Sequence, residues 1–217
     1  MVRPSSTKSQ HRRRLFGGAL FFLLGGTAAA GLSLARQPQP VSAAAVPEPA
    51  LPADRIEVPE ASVREALAQG QIDRPIKTIL NVPARMQYGD YRWNDAGVPA
   101  GPTWIRVDLA AQTISVFRAG HEIGTAVILY GADGMATPTG KFPILAKIKD
   151  HHSATYDAPM PYTLRLTADG IAIHASDVRW GRATHGCVGV PMEFAAKLFG
   201  ASSPGETVMI VDGARHA

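Results

Sequence analysis

Thr184-His185-Gly186-Cys187-Val188 places an imidazole, a glycine and the only thiol of the 217-residue chain within a few residues of one another. A thiol attacks a carbonyl as thiolate, and a nearby imidazole can take its proton and hold the charge that results. Gly186 lets backbone approach a substrate closely, and the amides of Gly186 and Cys187 would then face a developing oxyanion. A second imidazole, His174, ends the short apolar run Ile171-Ala172-Ile173. A strand end opening into a polar loop is a suitable mount for a catalytic base. On spacing alone the pair also reads as a core histidine and a small buried thiol. One cysteine excludes a disulfide within the chain, and with it a redox role built on one.

These groups need a scaffold that holds two loop ends together, and the pattern from Pro102 onward supplies strands. Ile105, Val107 and Leu109 alternate along Trp104–Leu109, and Ile114 and Val116 along Gln112–Arg118, where Phe117 departs from the alternation. The Ala110-Ala111 link makes the pair a hairpin. Apolar runs at Ile123–Tyr130, Phe142–Ile148, Tyr162–Leu166, Ile171–His174 and Val208–Val211 follow. Many short strands at this spacing predict a mainly β fold, a sandwich or curled sheet. Met192–Phe199, between Pro191 and Gly200, reads as a helix with Phe194 and Leu198 on one face. A second short helix is predicted over Val63–Gln69, capped by Ser62 or the residue before Pro59 and stopped by Gly70. The rest of 59–101, with Pro75, Pro83 and Pro99, is a lead-in without sustained period.

Ahead of this lies an address. Arg12-Arg13-Arg14 precedes an uncharged, Leu-, Phe-, Ala- and Gly-rich stretch from Leu15 to Leu34, and Ala43-Ala44-Ala45 follows. That order describes an export signal over residues 1–45, cut after Ala45 or nearer Ala30, or an uncleaved anchor formed by residues 15–34. Arg13-Arg14-Leu15-Phe16 resembles part of a twin-arginine signal. Either route puts the protein in the periplasm or cell envelope. Residues 46–58 are a Pro/Ala-rich linker. Six basic and no acidic residues precede Val46, so the formal net charge of +4 falls to −2 once they are set aside. The part that folds therefore lacks the basic excess that nucleic-acid binding requires. His151-His152 has no second Cys/His cluster at ligand spacing, which leaves a solvated or cleft-lining loop and no metal. Arg179 and Trp180 are loop residues, exposed or in contact with glycan or peptide.

Four segments, in order, resemble the L,D-transpeptidase (YkuD-like) family. Thr184-His185-Gly186-Cys187 resembles its Ser/Thr-His-Gly-Cys signature, and Ile171–His174 the strand ending in its catalytic histidine. Thr137-Pro138-Thr139-Gly140-Lys141-Phe142 is similar to its Thr-Pro-x-Gly-x-Phe segment, which on turn chemistry alone is also a plain turn. Met160-Pro161-Tyr162 is similar to the Met-Pro-Tyr segment lining its cleft. The resemblance covers about 102–213 and implies an L,D-transpeptidase-like β-sandwich with one or two short helices. It implies Cys187 as nucleophile, His174 as base and later acid, and the Ala175 carbonyl as the group orienting the ring. It further implies His185 as a supporting group, Gly186 and Cys187 amides as the oxyanion hole, and Tyr162, Met160 and Thr184 as substrate-binding residues. The implied substrates are peptidoglycan stem peptides, with a second stem or an amine such as a lipoprotein lysine as acceptor. Carbapenem-type inhibitors are expected to acylate the thiol, and no cofactor is needed.

The sequence departs from the family at Gly189, where many members carry Arg or Asn, and in a shorter 174–184 loop. The implied reaction is 3→3 cross-linking through a cysteine thioester. The alternatives are an L,D-carboxypeptidase, another thiol acyl hydrolase, or a wall-binding module without catalysis. A binding module would be marked by loss of the Cys or His, and both are present.

Overall fold

The computed structural model describes residues 52–132 and 134–213. Their architecture is mainly β, as expected, with two helices. The lead-in supplies β1 (Arg55–Glu57), α1 (Glu60–Ala68), β2 (Thr78–Leu80) and β3 (Tyr91–Trp93). The expected hairpin forms β4 (Thr103–Asp108) and β5 (Thr113–Arg118), paired antiparallel from Thr103↔Arg118 to Asp108↔Thr113. β6 (His121–Val127) and β7 (Gly140–Pro143) follow, and β14 (Thr207–Val211) returns from the end of the chain to pair parallel with β4 and antiparallel with β7. The large sheet runs β1-β2-β6-β5-β4-β14-β7, with β3 also on β6. The three short strands β1, β2 and β3 therefore extend the sheet, a role the irregular sequence of the lead-in left open.

A smaller sheet contains β8 (Ala146–Ile148), β11 (Thr163–Arg165), β12 (Ala172–Ala175) and β13 (Val188–Val190) in the order β13-β12-β11-β8. The apolar run 142–148 is thus split between the two sheets. β9 (His152–Ser153) and β10 (Ala158–Pro159) form a separate two-stranded ribbon. Between the sheets lies one core. Ile105, Val107, Ile114, Val116, Val208 and Ile210 come from the large sheet, and Leu164, Ile173, Val188 and Val190 from the small one. α2 (Met192–Ala201) adds Phe194, Ala195 and Leu198.

Phe117 does not break the hairpin's alternation. It faces the opposite side of the sheet, directly across from Trp104, and the two rings stack at 4.5 Å between centroids and 15° between planes. That side is not solvent: Val63 of α1 and Ile72 bury the pair in a second apolar cluster. Against β6, on its other edge, β5 slips register between Val116 and Phe117.

Helix ends differ in detail from expectation. Pro59, with φ −58° and ψ 135°, caps α1 without any side-chain hydrogen bond, and Ser62 lies inside the helix. Gly70, at φ +67°, stops it as expected. α2 runs through Gly200 and ends at Ser202, whose N–H donates to the Leu198 carbonyl. A helical glycine costs only about 1 kcal/mol, less than burying the Phe194 and Leu198 side chains returns. Among the described residues no helix is long and apolar enough to cross a membrane. The basic and apolar stretch read as an export signal lies outside the described residues, as does the start of the linker.

Candidate active site

Strand pairing brings the two halves of the site together. β12 and β13 are parallel neighbours in the register Ile173↔Val188, His174↔Gly189 and Ala175↔Val190. Alternation sends Ile173, Ala175, Val188 and Val190 into the core. His174 and Gly189 are thereby turned to the other face of the small sheet. Cys187 sits one residue before β13, two residues from Gly189 and so on the side of His174.

The Cys187 turn is pinned from several directions. Leu129 and Gly189 exchange both backbone hydrogen bonds at 2.9 Å, and the Thr184 N–H donates to the Tyr130 carbonyl at 3.0 Å. The segment following β6 therefore ties the large sheet to the Cys187 turn. Thr184 Oγ1 donates to the Cys187 carbonyl at 2.5 Å, closing the turn on itself. Gly186 has φ +102°, and a Cβ there would lie 2.9 Å from Ile171 Cδ1 and 3.6 Å from the Ala136 and Met135 carbonyls. The Thr-Pro-x-Gly segment supports the same region from behind: Thr137 is buried, and its Oγ1 accepts the Gly131 N–H at 2.9 Å.

His174 is 8% exposed. Its Nδ1 is 2.8 Å from the Ala175 carbonyl. A carbonyl only accepts, so in the neutral ring the proton sits on Nδ1 and Nε2 carries the lone pair. The strand is anchored in turn by the Ala175 N–H donating to the Pro161 carbonyl at 2.9 Å. Burial pushes the His174 pKa down, the Ala175 hydrogen bond pulls against it, and the charge of His151 lowers it further. Burial pushes the Cys187 thiol up. Both shifts favour the neutral pair at rest.

Cys187 and His174 wall the same cavity, of about 440 Å³. Met160, Ala175, Thr184 and His185 also line it. A second cavity of about 270 Å³ also includes Cys187 in its wall, with His151, Arg165 and Asp169, and Met160 lines this one too. Of the expected residues, Gly186 and Tyr162 line neither cavity. The Tyr162 ring packs against the core and edge-on to Phe199 of α2 at 5.7 Å. With φ +56° the backbone at Tyr162 turns the ring inward.

Tyr156 holds the cleft position that Tyr162 does not. It lines both cavities and stacks on His185 at 4.4 Å and 8°. Only its place in the loop before Met160 could have marked it. Ser176 and Arg182, also at the cavity wall, carried no signal in the sequence. His152 Nε2 is 2.8 Å from Asp157 Oδ1 in the exposed ribbon. Among the described residues no three His, Cys, Asp or Glu side chains gather as metal ligands. Trp180 is exposed, edge-on to Tyr88 at 5.7 Å.

The model of the YkuD L,D-transpeptidase catalytic domain matches residues 102–211. The chain belongs to that family. Among solved structures it is similar to an L,D-transpeptidase from Stackebrandtia nassauensis, at 26% identity over 55% of this chain and 60% of that one, with a TM-score of 0.48. It is also similar to an L,D-transpeptidase from Mycobacterium tuberculosis, at 19% identity over 51% and 57% of the two chains, with a TM-score of 0.47. A third similar structure is L,D-transpeptidase 3 from Mycobacterium tuberculosis in complex with a faropenem-derived adduct, at 18% identity over 51% and 60%, with a TM-score of 0.47. The matches span about three fifths of the length of these solved chains. No curated protein matches the chain.

Proposed function

We propose that this chain is a peptidoglycan L,D-transpeptidase working through a thioester on Cys187. The observation that carries the reading is the shared cavity of Cys187 and His174, with His174 Nδ1 committed to the Ala175 carbonyl. That contact reserves Nε2 for a proton from the thiol. Because burial favours the neutral thiol and neutral imidazole, proton transfer accompanies attack. Cys187 Sγ attacks the carbonyl of the third residue, a diamino acid, of a tetrapeptide stem while His174 Nε2 takes the thiol proton. The Gly186 and Cys187 amides stabilise the oxyanion. His174 then returns the proton to the departing D-alanine. A second stem's side-chain amine attacks the thioester, loses a proton to His174, and leaves a 3→3 cross-link with the thiol restored. The Ala175 carbonyl serves where a triad has its carboxylate. Met160, Thr184 and Tyr156 border the stem, with His185 held against Tyr156. Another amine, such as a lipoprotein lysine, would make the same thioester an anchoring intermediate, and water would make the enzyme a carboxypeptidase. Such substrates require an enzyme exported to the periplasm or cell envelope, in keeping with the N-terminal stretch. The thiol is likewise proposed to be acylated by carbapenems.

Intact-mass analysis of the protein with purified tetrapeptide stems tests the reading. A thioester on Cys187 with a cross-linked dimer supports transpeptidation, whereas an acyl-enzyme yielding only tripeptide points to carboxypeptidase action. Cross-linking by Cys187→Ala would remove the thiol from the mechanism.

A further inference from the structure

The glycine at position 189 is not demanded by backbone conformation, because its φ lies outside the left-handed region. Space demands it. A Cβ there would lie 2.7 Å from Ser176 Oγ, 2.9 Å from Ser176 Cβ and 3.4 Å from Leu129 Cβ. Neither backbone has freedom to retreat: the Ser176 N–H donates to the Val190 carbonyl at 2.8 Å, and Gly189 is paired both ways with Leu129. The Ser176 hydroxyl so held is 3.3 Å from His174 Nδ1. Since the Nδ1 proton points to the Ala175 carbonyl, the hydroxyl oxygen can only be a second acceptor of the same N–H.

Resting on the reading of His174 as base, we propose that Ser176 is a positioning residue for His174, and that Gly189 is required because it leaves room for the Ser176 hydroxyl beside the ring. Two acceptors on one N–H hold the ring orientation and the tautomer more firmly than one. They also stabilise the imidazolium formed when Nε2 takes the thiol proton. The charged and titratable groups around the ring are His151, from the connection between β8 and β9, and Tyr156, Asp177, Arg182, His185 and Cys187 on the cavity wall.

The single thiol makes the test direct: alkylation of Cys187 by iodoacetamide, followed by intact mass across pH in the full chain, with thermal melts as a folding control. Ser176→Ala is expected to slow alkylation at neutral pH by about three- to tenfold, the range for losing one ordinary hydrogen bond, and to move the inflection to higher pH. Ser176→Thr, which keeps the hydroxyl, should restore the profile. Gly189→Ala should reproduce the Ser176→Ala profile, and combining the two should add little. A wild-type profile in Ser176→Ala, or full additivity in the double variant, would overturn the proposal. His174→Ala separates the two levels. If it slows alkylation while Ser176→Ala does not, only the role of Ser176 fails; if it leaves the rate unchanged, the base assignment fails and this proposal with it. Should Gly189→Ala not fold, the Ser176→Ala and Ser176→Thr profiles decide the matter alone.

Discussion

Gly186→Ala tests whether the Cys187 turn depends on its left-handed residue. At φ +102° an L side chain pays about 1–3 kcal/mol in backbone strain. The new Cβ would also sit 2.9 Å from Ile171 Cδ1, while its 3.6 Å distances to the Ala136 and Met135 carbonyls are ordinary contacts. Ile171 Cδ1 is the free end of a flexible side chain, so it can swing away cheaply and backbone strain dominates. A loss of about 1–3 kcal/mol corresponds to a melting temperature roughly 2–12 °C lower for a domain of this size. Relaxing φ at position 186 rotates the peptide between His185 and Gly186, which displaces the Gly186 amide next to Cys187. On the proposed mechanism, acylation of Cys187 by stems should then fall by about 10²–10³-fold, the scale for losing one oxyanion donor, whereas alkylation, which develops no oxyanion, should change less. Adding Ile171→Val removes the Cδ1 contact but not the φ. Recovery of wild-type stability in that double variant, or an unchanged melt and unchanged reactivity in Gly186→Ala itself, would refute the reasoning.

Phe194→Ala empties a fully buried site touched by Tyr91 and Trp93, and urea unfolding should show a loss of about 3–5 kcal/mol. Asp73, hydrogen-bonded by Arg74 at 2.8 Å and paired with Lys141 at 3.1 Å, has its pKa held below the usual range, first by the Arg74 bond. Its stabilising contribution is therefore complete above the pKa of an unfolded aspartate and lost as pH falls through the folded one, below about pH 4. Urea midpoints should drop in that window, and by less in Asp73→Asn. Because burial raises the Cys187 thiol and lowers His174, alkylation in the free enzyme should climb with an inflection above the ordinary thiol range. High reactivity already at pH 6 would instead mean a preformed thiolate–imidazolium pair. Tyr162→Ala should destabilise by about 1–2 kcal/mol through lost ring packing, whereas Tyr156→Ala should spare the melt and lower acylation by stems.

Much of this protein is determined locally and so can be read from its residues. The hairpin of β4 and β5 follows from apolar alternation either side of Ala110-Ala111, and α2 from its face of Phe194 and Leu198 behind Pro191. The Thr-His-Gly-Cys run and the apolar strand before His174 are each contiguous and so singled out Cys187 and His174, which the structure places on one cavity wall. What alternation cannot say is which face a neighbouring segment covers. Phe117 looked out of place until α1 and Ile72 proved to lie over it, and Phe142–Ile148 looked like one strand because separation into two sheets leaves no mark on hydropathy. Side-chain direction at irregular backbone is equally silent. Tyr162 turns inward at φ +56° while Tyr156, from an unremarkable loop, stacks on His185. Gly189 read as a missing polar group. Only the β12–β13 register, set by hydrogen bonds between residues far apart in the chain, put Ser176 in the space that glycine leaves and its hydroxyl beside the His174 ring.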